Sequence, residues 1–293
     1  MSSVVVRRVL AWYAEARRPL PWREPGTTPW GVLVSEFMCQ QTQVDRVAPI
    51  WREWMARWPR PSDLAAVSPA DAIRAWGRLG YPRRARWLHS AADVIAREWD
   101  DTVPTGTDDL LALPGVGEYT TAAVQAFAFG MPSVVLDTNV RRVIARSIEG
   151  QAIPRPSLTN DERERARGLV DSADTEPGRA ARWSQAVMEL GALVCTSRGP
   201  DCARCPIARQ CAWQRTGAPA PERAPRRQAA FQGSDRQARG RVLAILRESS
   251  HPVPASAIED AIDDLAQRGR AIDGLIADGL IMRNAVGDFV LPS

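Results

Sequence analysis

Four of the five cysteines stand within seventeen residues of one another. Cys195, Cys202, Cys205 and Cys211 have six, two and five residues between them. Thiolates at such short range can surround one metal centre, and an odd cysteine count with this clustering favours a metal site over a disulfide framework. Zinc sites built from four cysteines usually carry two Cys-x-x-Cys knuckles, whereas this loop has one; iron–sulfur clusters accept looser spacing. Arg198, Arg204 and Arg209 interleave with the cysteines, so the loop presents cations beside its ligands. Cys39 has no partner at ligand spacing and reads as a small buried apolar residue.

Two carboxylates form a second constellation. The stretch Leu113-Pro114-Gly115-Val116-Gly117-Glu118-Tyr119-Thr120 sets two glycines one residue apart between two helical runs. Bare backbone at such a turn can approach a ligand closely, and the N–H groups that open the second helix suit a phosphate oxygen. Twenty-two residues after Gly115 comes Asp137, which closes the apolar run Val134-Val135-Leu136. Taken alone it is the N-cap of a helix that begins Thr138-Asn139-Val140-Arg141. Glu36, taken alone, is an ordinary helical glutamate paired with an arginine. Two such carboxyls can divide acid–base work, one protonating a leaving group while the other stabilises a developing cation, as in glycoside hydrolysis.

A phosphate anchor followed at this distance by a carboxylate resembles the helix-hairpin-helix DNA glycosylases. The cysteine spacing matches the loop of the endonuclease III and MutY proteins, which ligate a 4Fe–4S cluster. The frame Val34-Ser35-Glu36-Phe37-Met38-Cys39-Gln40-Gln41-Thr42-Gln43-Val44 resembles the MutY segment whose glutamate protonates the adenine ring. The resemblance runs from about residue 8 to residue 213. It implies Glu36, Asp137, Tyr119 and Asn139 as the catalytic group. Leu20, Trp22 and Arg23 become a wall of the adenine pocket. Gln41 fills or probes the stack when a base is extruded. Gly115, Val116, Gly117 and Thr120 of the hairpin, together with Arg198 and Arg204, become DNA contacts, and Cys195, Cys202, Cys205 and Cys211 hold the cluster.

Position 119 bears on the outcome of the reaction. Endonuclease III carries a lysine here that attacks the sugar and goes on to cut the strand. This chain has tyrosine, and all 38 of its basic residues are arginine. Efficient lyase chemistry is therefore not expected. The resemblance implies a hydrolase: a monofunctional DNA glycosylase excising adenine opposite 8-oxoguanine or guanine in double-stranded DNA. The alternatives are a thymine or uracil mismatch glycosylase on the same scaffold, and a cluster-bearing DNA-binding protein without catalysis. Two features depart from the MutY pattern. Where many MutY proteins have two consecutive tyrosines, this chain has Tyr81-Pro82, so the wedge beside the opposing base falls to Tyr81 or to another residue. Residues 236–293 are also too short for the usual MutT-like C-terminal domain.

These residues need a scaffold, and the chain reads as helical almost throughout. Helices are expected over Ser3 to Ala16, from Gly31 through Met38, and through Val47, Ile50, Trp51, Trp54, Met55 and Trp58, the tryptophans being core. Ser62-Asp63, Ser68-Pro69 and Thr107-Asp108-Asp109 mark further helix starts. The segment Arg18 to Pro29 is expected to be extended. The expected fold class is all-α: a two-domain helix-hairpin-helix glycosylase with an iron–sulfur loop. One domain is 1–21 with 134–213, carrying the cluster, and the other is 22–133, a six-helix barrel. A Pro-, Ala- and Arg-rich linker covers 214–235. Three helices and a hairpin around Val286-Gly287-Asp288 then make a small winged-helix-like module, 236–293.

The net charge of +4 is polarised. Ten arginines lie between Arg198 and Arg241, while Glu248 to Ser293 holds eight acids against three arginines. A basic face suits nucleic acid, and the acidic module suits packing or protein contact. Neither a signal peptide nor a membrane-spanning run is visible, so a cytoplasmic monomer without membrane contact is expected.

Overall fold

The computed structural model describes residues 2–221 and 230–293. Part of the expected linker, 222–229, lies outside the described residues. Fifteen α-helices account for most of the rest. The first six are α1 (Ser2–Ala16), α2 (Pro29–Cys39), α3 (Val44–Arg57), α4 (Pro61–Ala65), α5 (Pro69–Trp76) and α6 (Arg83–Glu98). Then come α7 (Thr107–Ala112), α8 (Glu118–Phe129), α9 (Thr138–Ile144), α10 (Asn160–Ala173), α11 (Arg179–Leu193) and α12 (Ala212–Arg215). The C-terminal region holds α13 (Asp235–Glu248), α14 (Ala255–Glu259), α15 (Leu265–Ala277) and the short strands β1 (Met282–Arg283) and β2 (Phe289–Val290).

The chain divides into two compact units. The first comprises 1–36, 105–112 and 116–226, and the second 37–104, 113–115 and 227–293. One boundary falls inside α2, between Glu36 and Phe37.

Apolar faces of α1, α9, α10 and α11 make the core of the first unit. Val5, Val6, Val9 and Tyr13 pack with Val140, Val143, Leu169, Val170, Trp183, Val187 and Leu190. Val194 and Ile207 extend this core into the cysteine loop, so the loop is anchored by burial on both sides. Beyond α9 the helix continues as a π turn over Ala145–Glu149 and stops at Gly150, whose φ is +71°. The segment between α1 and α2 is not extended throughout as expected. Pro21–Arg23 form a 3-10 turn, because Pro21 supplies the fixed φ of a first helical position and Arg23 N–H returns to the Leu20 carbonyl at 2.9 Å.

In the second unit, the expected tryptophans of α3 are buried. Trp54 meets Trp58 and Trp76 edge-on, with ring centroids 4.9 and 5.7 Å apart. The start of α5 is the expected Ser68 cap, in which Ser68 and Asp71 exchange side-chain and backbone bonds. By contrast α4 begins at Pro61, ahead of Ser62-Asp63, because Asp63 takes the Arg60 N–H at 3.0 Å. The C-terminal residues belong to this same unit. The strands pair antiparallel, Met282 with Val290, and Val253 bridges Phe289 to add a third segment beside three helices. Arg247 of α13 donates to the Ile73 carbonyl at 3.0 Å, and Ala70 N–H donates to the Pro292 carbonyl at 3.0 Å. The C-terminal region is thus packed against α5.

Candidate active site

In the first unit, Glu36 ends its share of α2 with only 8% of its surface exposed. Burial pushes its carboxyl up to about 7; a hydrogen bond from the Tyr119 hydroxyl and the Arg23 charge pull the other way, and the Asp137 charge adds to the rise. Glu36 therefore holds a proton near neutrality while lying within electrostatic reach of a second carboxylate. Tyr119, on the first turn of α8, packs against Ala123, Ala126, Val135 and Ala181.

Asp137 caps α9. Its Oδ1 accepts from Val140 N–H at 2.7 Å, and its Oδ2 accepts from Asn139 Nδ2 at 2.7 Å. The expected N-cap is therefore present. Burial raises its carboxyl above the ordinary aspartate range; the bonds from Val140 and Asn139 and the Arg142 charge oppose that rise. Asn139 Oδ1 accepts from Arg142 at 2.6 Å, and Arg142 also donates to the carbonyls of Gly191 and Cys195, each at 2.7 Å. Gly191 lets α11 come this close: a Cβ there would lie 2.7 Å from Asn139 Cβ and 2.9 Å from its carbonyl oxygen.

Leu20 and Trp22 are buried, and Arg23 donates to Glu189 at 3.2 Å. Glu189 is almost wholly buried, which alone would raise its carboxyl, but bonds from Arg18 and the charges of Arg23 and Arg18 hold it below the usual range. This ion pair fixes the 3-10 turn that carries Trp22 and Arg23.

The four clustered cysteines line one recess with Arg146 and Trp213. Two sulfurs already receive donors, Cys202 from Gln214 at 2.9 Å and Cys195 from Arg146 at 3.4 Å. Burial pushes the Cys205 thiol up to about 11, and Cys202 and Cys211 rise for the same reason, helped by their neighbours. Arg198, Arg204 and Arg209 are exposed on the loop, with Arg204 3.8 Å from Asp201.

Glycine pair members have different jobs. Gly115, in the second unit, has φ +78°, and a Cβ there would sit 2.7 Å from Trp87 Cβ. Gly117, in the first unit, has an extended φ of −116° and caps α8 with no side chain over it. Val116 and Thr120 are buried. Gln41 and Tyr81, both in the second unit, are exposed and adopt left-handed φ values of +58° and +48°.

The HhH-GPD superfamily of base excision DNA repair proteins matches residues 34–166. The "Adenine DNA glycosylase" of Mycobacterium tuberculosis is 49% identical over 286 residues, covering 97% of this chain and 92% of that protein. The chain belongs to the adenine DNA glycosylase family. A thermostable thymine-DNA glycosylase structure aligns with TM-score 0.64 at 25% identity, covering 73% of this chain and 97% of that one. A trapped endonuclease III–DNA covalent intermediate shares the fold, with TM-score 0.60, 20% identity, and 73% and 95% of the two chains covered.

In this adenine DNA glycosylase family member the catalytic candidates Glu36, Tyr119, Asp137 and Asn139 all fall in one unit, from three separate stretches of chain. Sequence reasoning missed Arg142 and Gly191, which meet Asn139, Glu189, which pairs with Arg18 and Arg23, and Arg146, which donates to Cys195 and Thr196 of the cysteine loop. A signal existed for two of them. Arg142 and Arg146 are four residues apart on a helix directly following Asp137, which places both on one face.

Proposed function

We propose that this protein is a monofunctional DNA glycosylase that hydrolyses the N-glycosidic bond of adenine mispaired with 8-oxoguanine or guanine in double-stranded DNA. The observation that carries this reading is the protonated-range Glu36 carboxyl, bonded by Tyr119, beside the capped carboxylate of Asp137. Glu36 delivers its proton to a ring nitrogen of the extruded base, and the C1′–N bond breaks as neutral adenine leaves. Asp137 faces the sugar cation that remains, and Asn139 holds that carboxylate in register. Water adds at C1′, and its proton passes to a carboxylate of the pair. Tyr119 has no amine with which to form a Schiff base, so the strand stays uncut.

The hairpin serves as the phosphate anchor. Because Thr120 is buried, a phosphate there meets backbone N–H groups rather than its hydroxyl. Gln41 and Tyr81 serve as the stack-filling residues, with Leu20, Trp22 and Arg23 beside the base. Cys195, Cys202, Cys205 and Cys211 suit a 4Fe–4S cluster. They share one recess, two carry hydrogen-bond donors, and Arg142 and Arg146 offset the charge of four thiolates. When bound, the cluster cross-links the loop and presents Arg198 and Arg204 to DNA. Brown protein with iron–sulfur charge-transfer absorbance supports this assignment, whereas a colourless zinc protein overturns it.

The test of the reaction is a panel of end-labelled duplexes. Release of adenine opposite 8-oxoguanine or guanine, with strand scission only after alkali, is the expected result. Scission without alkali, or release of thymine from a thymine–guanine pair in place of adenine, overturns the reading.

A further inference from the structure

Two exposed residues of the second unit, Gln41 and Tyr81, hold the backbone in the left-handed region, which is unfavourable for side chains of their kind. Unlike Asp100 and Asp101, which share this backbone region, neither is an Asn or Asp that the region tolerates. Something must over-determine the two loops. Thr42 Oγ1 donates to the Leu79 carbonyl at 3.1 Å, and Arg46 donates to the Arg78 carbonyl, so the segments are sewn together on either side. Between these stitches lies Arg84, only 7% exposed. Its guanidinium donates to the Gln40 carbonyl, the peptide that leads into Gln41, and stacks 4.4 Å from the Tyr81 ring centroid. Its backbone N–H also donates to the Tyr81 carbonyl at 3.0 Å.

A buried cation facing a carbonyl and an aromatic ring is a costly arrangement to keep for packing alone. We propose that Arg84 is a positioning residue for base extrusion, locking Gln41 and Tyr81 into one two-pronged device that opens the stack around the target adenine. The planar guanidinium suits both tasks at once, donating in its plane and stacking on its face; an ammonium can do only one. This rests on the reading of Gln41 and Tyr81 as stack-filling residues, and Arg84 itself touches no reacting atom.

The test compares two duplexes that differ in the work of extrusion. In one, adenine faces guanine; in the other it faces an abasic spacer, where no partner holds it in the stack. Single-turnover base release by Arg84→Ala should fall about 30- to 100-fold on the mispair and less than about 3-fold opposite the spacer, an extra barrier of the size expected for lost positioning. Adding Arg84→Ala to the Gln41→Ala, Tyr81→Ala double variant should change the mispair rate by less than about 3-fold, because the arginine acts through those two residues. Equal loss on both duplexes, or full additivity, overturns the proposal. If Arg84→Ala does not fold, Arg84→Met keeps the buried stem without the guanidinium and should show the same selective loss, while Arg84→Lys should fail to rescue it. If Gln41→Ala and Tyr81→Ala leave the mispair rate unchanged, the stack-filling reading itself fails. If they lower it and the Arg84 variants do not, only the role of Arg84 is overturned.

Discussion

Glu36 is held in a buried place that costs the fold. Its carboxyl rises from 4.5 to about 7 because the site is buried. Between those values the folded state binds the proton more tightly than the unfolded chain. The group's contribution to stability is therefore fullest below pH 4.5, declines as pH rises to 7, and stays at the lower level above. At about 1.4 kcal/mol per unit, the decline approaches ~3 kcal/mol. Glu36→Gln should thus be more stable than the parent at pH 8 and no more stable at pH 4.5, in urea unfolding at the two values, while releasing no base. The rate of base release should in turn fall above pH 7 by about tenfold per unit as the acid ionises. It should also fall on the acid side, below a point that lies above the ordinary aspartate range, as Asp137 takes up a proton. A rate that climbs through pH 8 would remove Glu36 from the role of acid. Glu36, Tyr119, Asp137 and Asn139 stand out in the sequence because each sits in a short recognisable frame. Glu189 does not, since its partners Arg18 and Arg23 lie 171 and 166 residues away and no local pattern announces the pairing.

At the scale of elements, α9 and α11 decide where the Asp137 carboxylate stands. Gly191 is the contact that sets their separation, and its Cβ-less surface meets both the side chain and the carbonyl of Asn139. Gly191→Ala should push the start of α9 away and lower single-turnover base release by about 10- to 100-fold, while DNA affinity, measured separately, stays within about 3-fold. Equal losses in affinity and rate would mean a general loosening instead. The hairpin invites the opposite result. Gly115→Ala forces a side chain into the left-handed region against Trp87, so DNA binding should weaken more than the chemical step, with a cost of about 1–3 kcal/mol. Helices were legible from their periodicity and caps, as Ser68 illustrates. The turn at Pro21–Arg23 was not, because three residues carry no period. The approach of α11 to Asn139 was not either, because a glycine within a helix reads only as a mild defect until its neighbour is known.

Across the whole molecule, the C-terminal residues are part of the second unit. Arg247, with its guanidinium pushed down to about 10 by burial, donates to the Ile73 and Gly77 carbonyls. Asp278 gathers Arg83 at 3.0 Å and Arg239, and its carbonyl takes Arg86 at 2.8 Å. Arg247→Ala should destabilise the second unit by about 2–4 kcal/mol, read as an earlier chemical unfolding transition. An unchanged transition would show that the module merely rests on α5. The sequence announced three helices, a hairpin and an acidic balance, and so suggested packing. It could not name the surface, because backbone carbonyls such as those of Ile73 and Gly77 leave no trace in residue types.

The bond between Ala70 and Pro292 also sets a schedule. A ribosome that has finished Pro104 must still add roughly 190 residues before Pro292 can reach α5, which at about 5–20 residues per second takes roughly 10–40 s. Throughout that interval α5 waits without its C-terminal partner. In the cell, the period of greatest exposure to proteases and to self-association therefore falls during synthesis, and a translational pause late in the message would lengthen it.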